Sequence, residues 1–511
     1  MRLGYANPQK NTSREVLASA SASRQIFSLP ANADERRALD FFVSCAATRL
    51  SGWLEESFWK RTVLQLSQRQ PAIRHALIAV SSAYEQAQAN TDSSQPTDST
   101  SILRHYNKSI HHLCQQNLGT PQSVLIYLST CLLFTCLEFI RGDSRAAMSH
   151  VVSGLNILHT FENNFDHTPN HLQPDIQIIH DDLAPIFCRL SIFSNIIGEV
   201  TPTIHLRSTD VDDFTSFDSL SEARDGLTDL MNDGIRFIWS ITPTKYTGII
   251  STAEIIQQVR LELRAAKWWQ RFSLTRSKLR HQASSDAFQF SNLEEGLAIL
   301  EAHFYMVQSL MAVLTASNEC AWDPLFPEFD KIVSLAGHVI SKRNDRCRDH
   351  PNEVFTFEAE LVSPLYITAL KCRHPRIRRQ AIVLMEELCR REGMIDSRRA
   401  GRVARAIIKI EEAGMREGDV VPPTERRIQF FFEPEVPSNV PERPLAHFGS
   451  TGSGPYSIAY KTCEGMFLKT NLEETGMGEA VDVQSRSGVR DDESNGYKQF
   501  NIAATPYSQR L

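Results

Sequence analysis

Apolar residues recur along most of this chain at helical spacing. Ile377, Ala381, Leu384 and Leu388 step by four, three and four. After Gly393 and Asp396-Ser397, the series Ala400, Val403, Ile407 and Ile410 steps by three, four and three. Each series puts one apolar stripe on a helix, so the pattern predicts two amphipathic helices. Asp396 or Ser397 would cap the second and Gly414 would end it. Upstream, Thr120-Pro121 reads as a helix start, a hydroxyl cap followed by proline at the first helical position. That helix should stop near Arg141-Gly142, where glycine can take the left-handed cap conformation. A second helix should begin around Asp143. Its small residues Ala146, Ala147, Ser149 and Gly154 allow close packing, and Val151, Leu155 and Leu158 supply its apolar face. The two form a helical hairpin.

Sustained period-two alternation is not apparent, and residues 427–432 (RIQFFF), after Pro422-Pro423, are the most strand-like piece. The predicted fold is therefore all-α: one large helical domain of packed helical hairpins over residues 36–432. Residues 1–35, rich in Ser, Ala and Asn, read as a disordered N-terminal segment. Residues 433–511 turn to Pro, Gly and Ser and then to acidic polar sequence, and read as linker and disordered tail. Residues 91–101 and 163–173 read as loops. Residues 123–140 (SVLIYLSTCLLFTCLEFI) approach the length of a membrane span. Glu138, the hydroxyls and two cysteines within them favour a buried core helix, so no membrane contact is expected.

The 511 residues carry a net charge of −6, with 42% hydrophobic and 22% charged residues. That is ordinary for a globular protein and argues against a free-standing nucleic-acid binder. The first residues lack an apolar run behind a basic start, so no secretory signal is expected. Ten dispersed cysteines include no C-x-x-C pair, which suggests a reducing compartment and free thiols. His167 and His171 have metal-pair spacing but sit in a Pro- and Asn-containing stretch. His111-His112 near Cys114 reads as two faces of a helix. No structural zinc and no cofactor are expected. Signatures for a nucleophile elbow, a zinc protease and a phosphate loop are all missing, and residues 449–454 (GSTGSG) read as linker. No catalytic residues are assigned and no enzyme is expected. Residues 471–494, with seven acids and two arginines, read as a solubilising tail or an acidic activation segment.

Residues 371–409 hold twelve basic residues against four acidic ones, a local balance of +8. Arg373, Arg376, Arg378, Arg379, Arg390, Arg391, Arg398, Arg399 and Arg402 are the candidate interaction surface, for an acidic partner, nuclear import or phosphate contact. The competing reading is that these arginines cover the solvated faces of two helices and pair with acids elsewhere.

Several separated stretches together resemble the regulatory domain of fungal zinc binuclear-cluster transcription factors. They begin with Leu50-Ser51-Gly52-Trp53, Phe58-Trp59, Leu64-Gln65 and Pro71-Ala72-Ile73-Arg74-His75-Ala76-Leu77-Ile78-Ala79. Tyr106-Asn107-Lys108-Ser109-Ile110, residues 131–142 with 146–158, residues 187–192 and residues 219–230 follow in order. The most specific are Ser363-Pro364-Leu365-Tyr366, then residues 371–381, Arg390-Arg391-Glu392-Gly393 and Ile410-Glu411-Glu412. The resemblance spans roughly residues 36 to 432. Members of that family usually carry a six-cysteine cluster that holds two zinc ions and places a helix in the major groove. Here nothing before Cys45 can ligate zinc, and Gly4-Tyr5 matches a pair that often follows the cluster. The tryptophan common near Met394-Ile395 is also absent, and the tail from about Ser450 has no family counterpart. The resemblance implies a nuclear transcription regulator reduced to its regulatory domain. It would act through other transcription regulators, through a homo- or hetero-dimer partner, or through a small-molecule effector. Relatives often control metabolic gene clusters, and sequence-specific DNA binding by this chain alone is not expected. A non-nuclear scaffold or enzyme reusing the helical domain, or a truncated gene model, are the alternatives.

Overall fold

The first helix of the computed structural model starts where the sequence supplies a cap. Asn32 Oδ1 accepts from Glu35 N at 2.8 Å, and the Glu35 carboxylate accepts from Asn32 N at 3.3 Å. The structure describes residues 32–52, 57–89, 100–116, 119–165, 174–196, 201–204, 215–245, 249–283, 287–346, 355–413, 415, 420–432, 456–462, 467–472 and 481–482. Residues 1–31 of the predicted N-terminal segment 1–35, Trp53, most of the loops at 91–101 and 163–173, His167, His171 and Gly414 lie outside the described residues.

Helix α1 (Ala33–Phe41) runs on through a π-helical turn (Phe42–Ala46) into Ala47–Leu50. A second π-helical turn (Phe58–Thr62) leads into α2 (Val63–Arg69). Then come α3 (Pro71–Ala89), α4 (Thr100–Leu113), α5 (Pro121–Arg141) and α6 (Ser144–Phe165). After Pro174–Ile178 and the π-helical turn Ile179–Leu183 follow α7 (Ala184–Ile196), α8 (Leu220–Lys245), α9 (Thr252–Gln282) and α10 (Ala287–Ala312). A 3₁₀ segment (Glu319–Leu325) precedes α11 (Phe326–Arg346), and α12 (Val362–Lys371), α13 (Pro375–Leu388) and α14 (Ser397–Glu412) complete the helices. Neighbours in sequence pack as hairpins: α3 with α4, α5 with α6, α10 with α11, and α12 with α13. Nearly all the buried apolar side chains described join in one connected core from Ala38 to Ile428. This is the all-α body that the helical periodicity predicts.

The hairpin at Gly142 forms with the predicted caps. Thr120 Oγ1 accepts from Ser123 N at 3.2 Å, and Gly142 takes φ 79°. Gly154 of α6 meets α7 so closely that a Cβ there would lie 2.1 Å from the ring of buried Phe187. Helix α5 is long and apolar enough to cross a bilayer, but 89% of its apolar window is buried inside the fold. Its one acid, Glu138, is buried beside Arg141, which donates at 3.0 and 3.1 Å. Helix α14 is capped as predicted, Asp396 Oδ1 accepting from Arg399 N at 2.8 Å, but its C-cap is Ala413.

Strands amend two expectations. The break between α13 and α14 is a short hairpin, β2 (Arg391–Glu392) and β3 (Ile395–Asp396), with β1 (Phe355–Thr356) parallel to β2. Gly393 turns it at φ 52°, its Cβ position 3.3 Å from Phe357 O, so only glycine suits the turn. Residues 433–511 are not all linker. Predicted strand β4 (Ile428–Phe432) pairs with β5 (Tyr456–Thr462), and β6 (Phe467–Leu472) and β7 (Val481–Asp482) extend the antiparallel sheet. In YSIAYKT, Tyr456, Ile458 and Tyr460 recur every second position, and in FLKTNL Leu468, Thr470 and Leu472 keep the same spacing. That is strand periodicity, masked by the Gly- and Ser-rich composition around it.

Candidate functional site

The nine predicted arginines do not form one surface. Arg373, Arg378 and Arg390 are buried, Arg391 and Arg399 half-buried, and Arg376, Arg379, Arg398 and Arg402 exposed. Arg373 donates to Glu319 at 2.9 Å and to Glu411 at 3.0 Å, and Arg378 donates to Glu411 at 2.7 Å. Glu411 also accepts from Ile428 N at 2.9 Å, so this network fastens the start of β4 to α13 and α14. Burial pushes the Glu411 carboxyl up, but Arg373 and Arg378 outweigh it and hold it below the ordinary range. Arg390 reaches Glu360 at 2.5 Å and Glu392 at 2.8 Å, and Arg343 reaches Glu360 at 2.7 Å. The same Glu392 accepts from Glu360 N and Val362 N at 2.8 and 2.9 Å, which sets the start of α12. Enclosed guanidiniums cannot meet a partner, so the predicted interaction surface loses Arg373, Arg378 and Arg390. Of the exposed members, Arg376 pairs with Asp330 at 2.7 Å and Arg379 pairs with Glu412.

These networks stand beside a cavity of about 430 Å³ between α7, α8, α10 and α12. Its volume lies within the range of about 300–1,000 Å³ usual for small-molecule sites. Most of the wall is apolar: Leu190 and Phe193 from α7, Met231, Ile235 and Ile238 from α8, Met306, Leu310 and Met311 from α10, Ile367 and Leu370 from α12. Methionines on two sides let the wall adapt its shape. The polar groups are few and mostly engaged. Arg189 holds Glu358 at 2.9 Å and Asp225 at 3.2 Å, and His303 Nε2 donates to Glu360 O at 2.6 Å. Burial pushes the His303 imidazolium down, leaving a neutral ring. Lys371 Nζ donates to Glu319 at 2.9 Å and to Gln429 O at 3.1 Å. The exception is Gln429 Oε1, which is buried and receives no hydrogen bond from the protein. Trp239 lines the cavity yet is 48% exposed, which places it at the mouth. Its Nε1 donates to Asn195 O at 2.6 Å and fixes the ring.

Helix α9 is apolar on two opposite sides. Leu261, Ala265, Trp268 and Phe272 are buried, and Trp268 Nε1 donates to Ala223 O of α8 at 2.8 Å. At 100° per residue, Ile255, Ile256, Val259, Leu263 and Leu274 fall within an arc of about 100° facing away from that side, and all are exposed, Leu263 to 65%. The sequence reading missed the cavity, because its lining comes from helices far apart in the chain. The outer stripe of α9 was visible in the spacing of its apolar residues.

The sequence over these elements matches a known family. The pattern described as Fungal specific transcription factor domain matches residues 37–409, and the chain belongs to that family. It is 24% identical, over 325 residues, to the aspercryptin biosynthesis cluster-specific transcription regulator atnN of Emericella nidulans, covering 60% of this chain and 50% of that protein. It is 28% identical over 109 residues to the transcription regulator lscL of Purpureocillium lilacinum, covering 20% of this chain and 26% of that protein. The chain thus spans at most half the length of these relatives. No solved structure matches it.

Proposed function

We propose that this chain is a nuclear transcription regulator whose helical body takes a small, mostly apolar effector and acts through a protein partner. The cavity is the observation that carries this reading. It suits a ligand with a broad apolar body and one hydrogen-bond donor to meet Gln429 Oε1. Its charged groups are already locked in ion pairs, an arrangement suited to binding rather than to acid–base catalysis, so the chain is read as a non-enzyme. Helix α8 lines the cavity and also packs against α9. A ligand that shifts α8 would therefore shift the apolar stripe of α9, on which another transcription regulator would dock. The name of the first relative, a biosynthesis cluster-specific regulator, suggests a metabolic gene cluster as the target.

By itself the chain is not expected to read DNA sequence. Its 511 residues contain no six-cysteine cluster, and the buried arginines of the basic segment are neutralised. Exposed ones would give phosphate contacts without sequence information. The test fuses the chain to a heterologous DNA-binding domain and reads a reporter. Gly234→Leu, which fills the cavity, and the pair Ile255→Glu with Leu263→Glu, which spoils the stripe, should each change output while circular dichroism stays helical. Unchanged output from both would contradict the proposal.

A further inference from the structure

Three metal-ligating side chains that this function does not use meet at the first helices. Glu35 lies in the first turn of α1, His75 on α3 and His105 on α4. Nδ1 of His75 and Nδ1 of His105 are 3.1 Å apart. One ring nitrogen of each histidine and a Glu35 carboxylate oxygen all lie within 4.8 Å of one another. His105 is buried, and Glu35 and His75 are half-buried. We propose that Glu35, His75 and His105 form a binding site for a divalent transition-metal ion of the zinc class.

The geometry comes first. Two nitrogens bound tetrahedrally at about 2.0–2.1 Å stand about 3.4 Å apart, so the imidazoles need to part by only a few tenths of an ångström. Without a metal, the same approach is a hydrogen bond in which one ring N–H donates to the other ring. A metal ion takes the place of that single proton. Glu35 supplies the negative charge. Its capping bond to Asn32 N uses one oxygen and leaves acceptor capacity on the carboxylate. Two nitrogens and one oxygen suit zinc and its neighbours better than magnesium or calcium, with water completing a four-coordinate site.

The surroundings are mixed. Lys108 and Arg104 on α4 oppose a cation, and Arg74 lies in the field of Glu35. Burial acts the other way, keeping both imidazoles neutral, the form that ligates. The His112 ring stacks on His75 with centroids 5.7 Å apart and holds its orientation. The consequence would be mechanical: the ion would tie α1, through the residue that caps it, to the α3–α4 hairpin. This departs from the expectation of no structural zinc, which looked for ligands close in sequence. Here they lie 30 residues apart on α3 and α4, and farther still on α1.

The test uses the full chain with any affinity tag removed, titrated with Zn²⁺ against a chromophoric chelator. Melting is followed with and without Zn²⁺. The expected result is about one ion per chain, weakened at least about tenfold in Glu35→Gln and more in His75→Gln. The melting temperature should rise with Zn²⁺ in the native chain and not in His75→Gln. Co²⁺ in place of Zn²⁺ should give the visible absorption of a four-coordinate nitrogen–oxygen site. Should His75→Gln fail to fold, Glu35→Gln and the Co²⁺ spectrum decide. No stoichiometric ion, or equal affinity in Glu35→Gln and the native chain, overturns the site.

Discussion

Two glycines show how differently two regions of this body are packed. Gly154, where α6 meets α7, and Gly234, on α8 beside the cavity, each leave room for no Cβ, with neighbouring atoms at 2.1 and 2.2 Å. The neighbour of Gly154 is the ring of Phe187, fully buried and held on all sides. The neighbour of Gly234 is Cε of Met311, the free end of a flexible side chain that itself lines the cavity. The same clash is therefore rigid in the α5–α7 region and soft in the α8–α10 region. A chain of one family and one core keeps a close-packed scaffold and, next to it, a region that can change shape. We place ligand response in the second.

The largest expected effect concerns the charged frame next to the soft region. Glu411→Gln leaves Arg373 and Arg378 enclosed without their shared carboxylate. It should cost about 3–5 kcal/mol by urea denaturation, as for other buried pairs broken on one side. A cost near zero would mean that the network does not hold β4 to α13 and α14. Next comes Gly154→Ala. Overpacking against Phe187 should destabilise by about 1–3 kcal/mol despite the better helix propensity of alanine. At Gly234 the same change should be neutral or stabilising by up to about 1 kcal/mol, because Met311 can swing away. Equal losses at both glycines would erase the contrast.

Much of the scaffold was legible in the sequence, and the reasons are local. Thr120-Pro121, Gly142 and Asp396 mark helix ends through the chemistry of caps, and the apolar steps on α13 and α14 mark their buried faces. The soft region was not legible. Arg373 finds Glu319 across 54 residues of sequence, and Arg390 finds Glu360 across 30. No spacing rule joins such pairs, so a basic run read as a surface turned out to be partly interior. The strands at 456–472 were hidden by composition, although their alternation was present. The cavity itself belongs to the packing of four helices and has no signature in any one of them.

A smaller effect follows from Glu360. Burial pushes its carboxyl up, but Arg343 and Arg390 prevail and bring it down to about 2 from an ordinary value of 4.5. A folded-state value below the unfolded one gives stability that is present above about pH 4.5 and lost as pH falls toward 2. Denaturation midpoints at pH 6 and pH 3 should therefore differ more in the native chain than in Glu360→Gln. An equal acid loss in both would remove Glu360 from the account.

The central claim is that the cavity between α7, α8, α10 and α12 accepts an apolar ligand. Its most direct test is a titration with 1-anilinonaphthalene-8-sulfonate, read by probe emission and by quenching of Trp239 at the mouth. The Trp239→Phe variant identifies that tryptophan's share of the signal. The account predicts saturable binding of about one probe per native chain, and its loss in Gly234→Leu with the melting transition still cooperative. Probe binding that persists in Gly234→Leu, or that never saturates in the native chain, would contradict it.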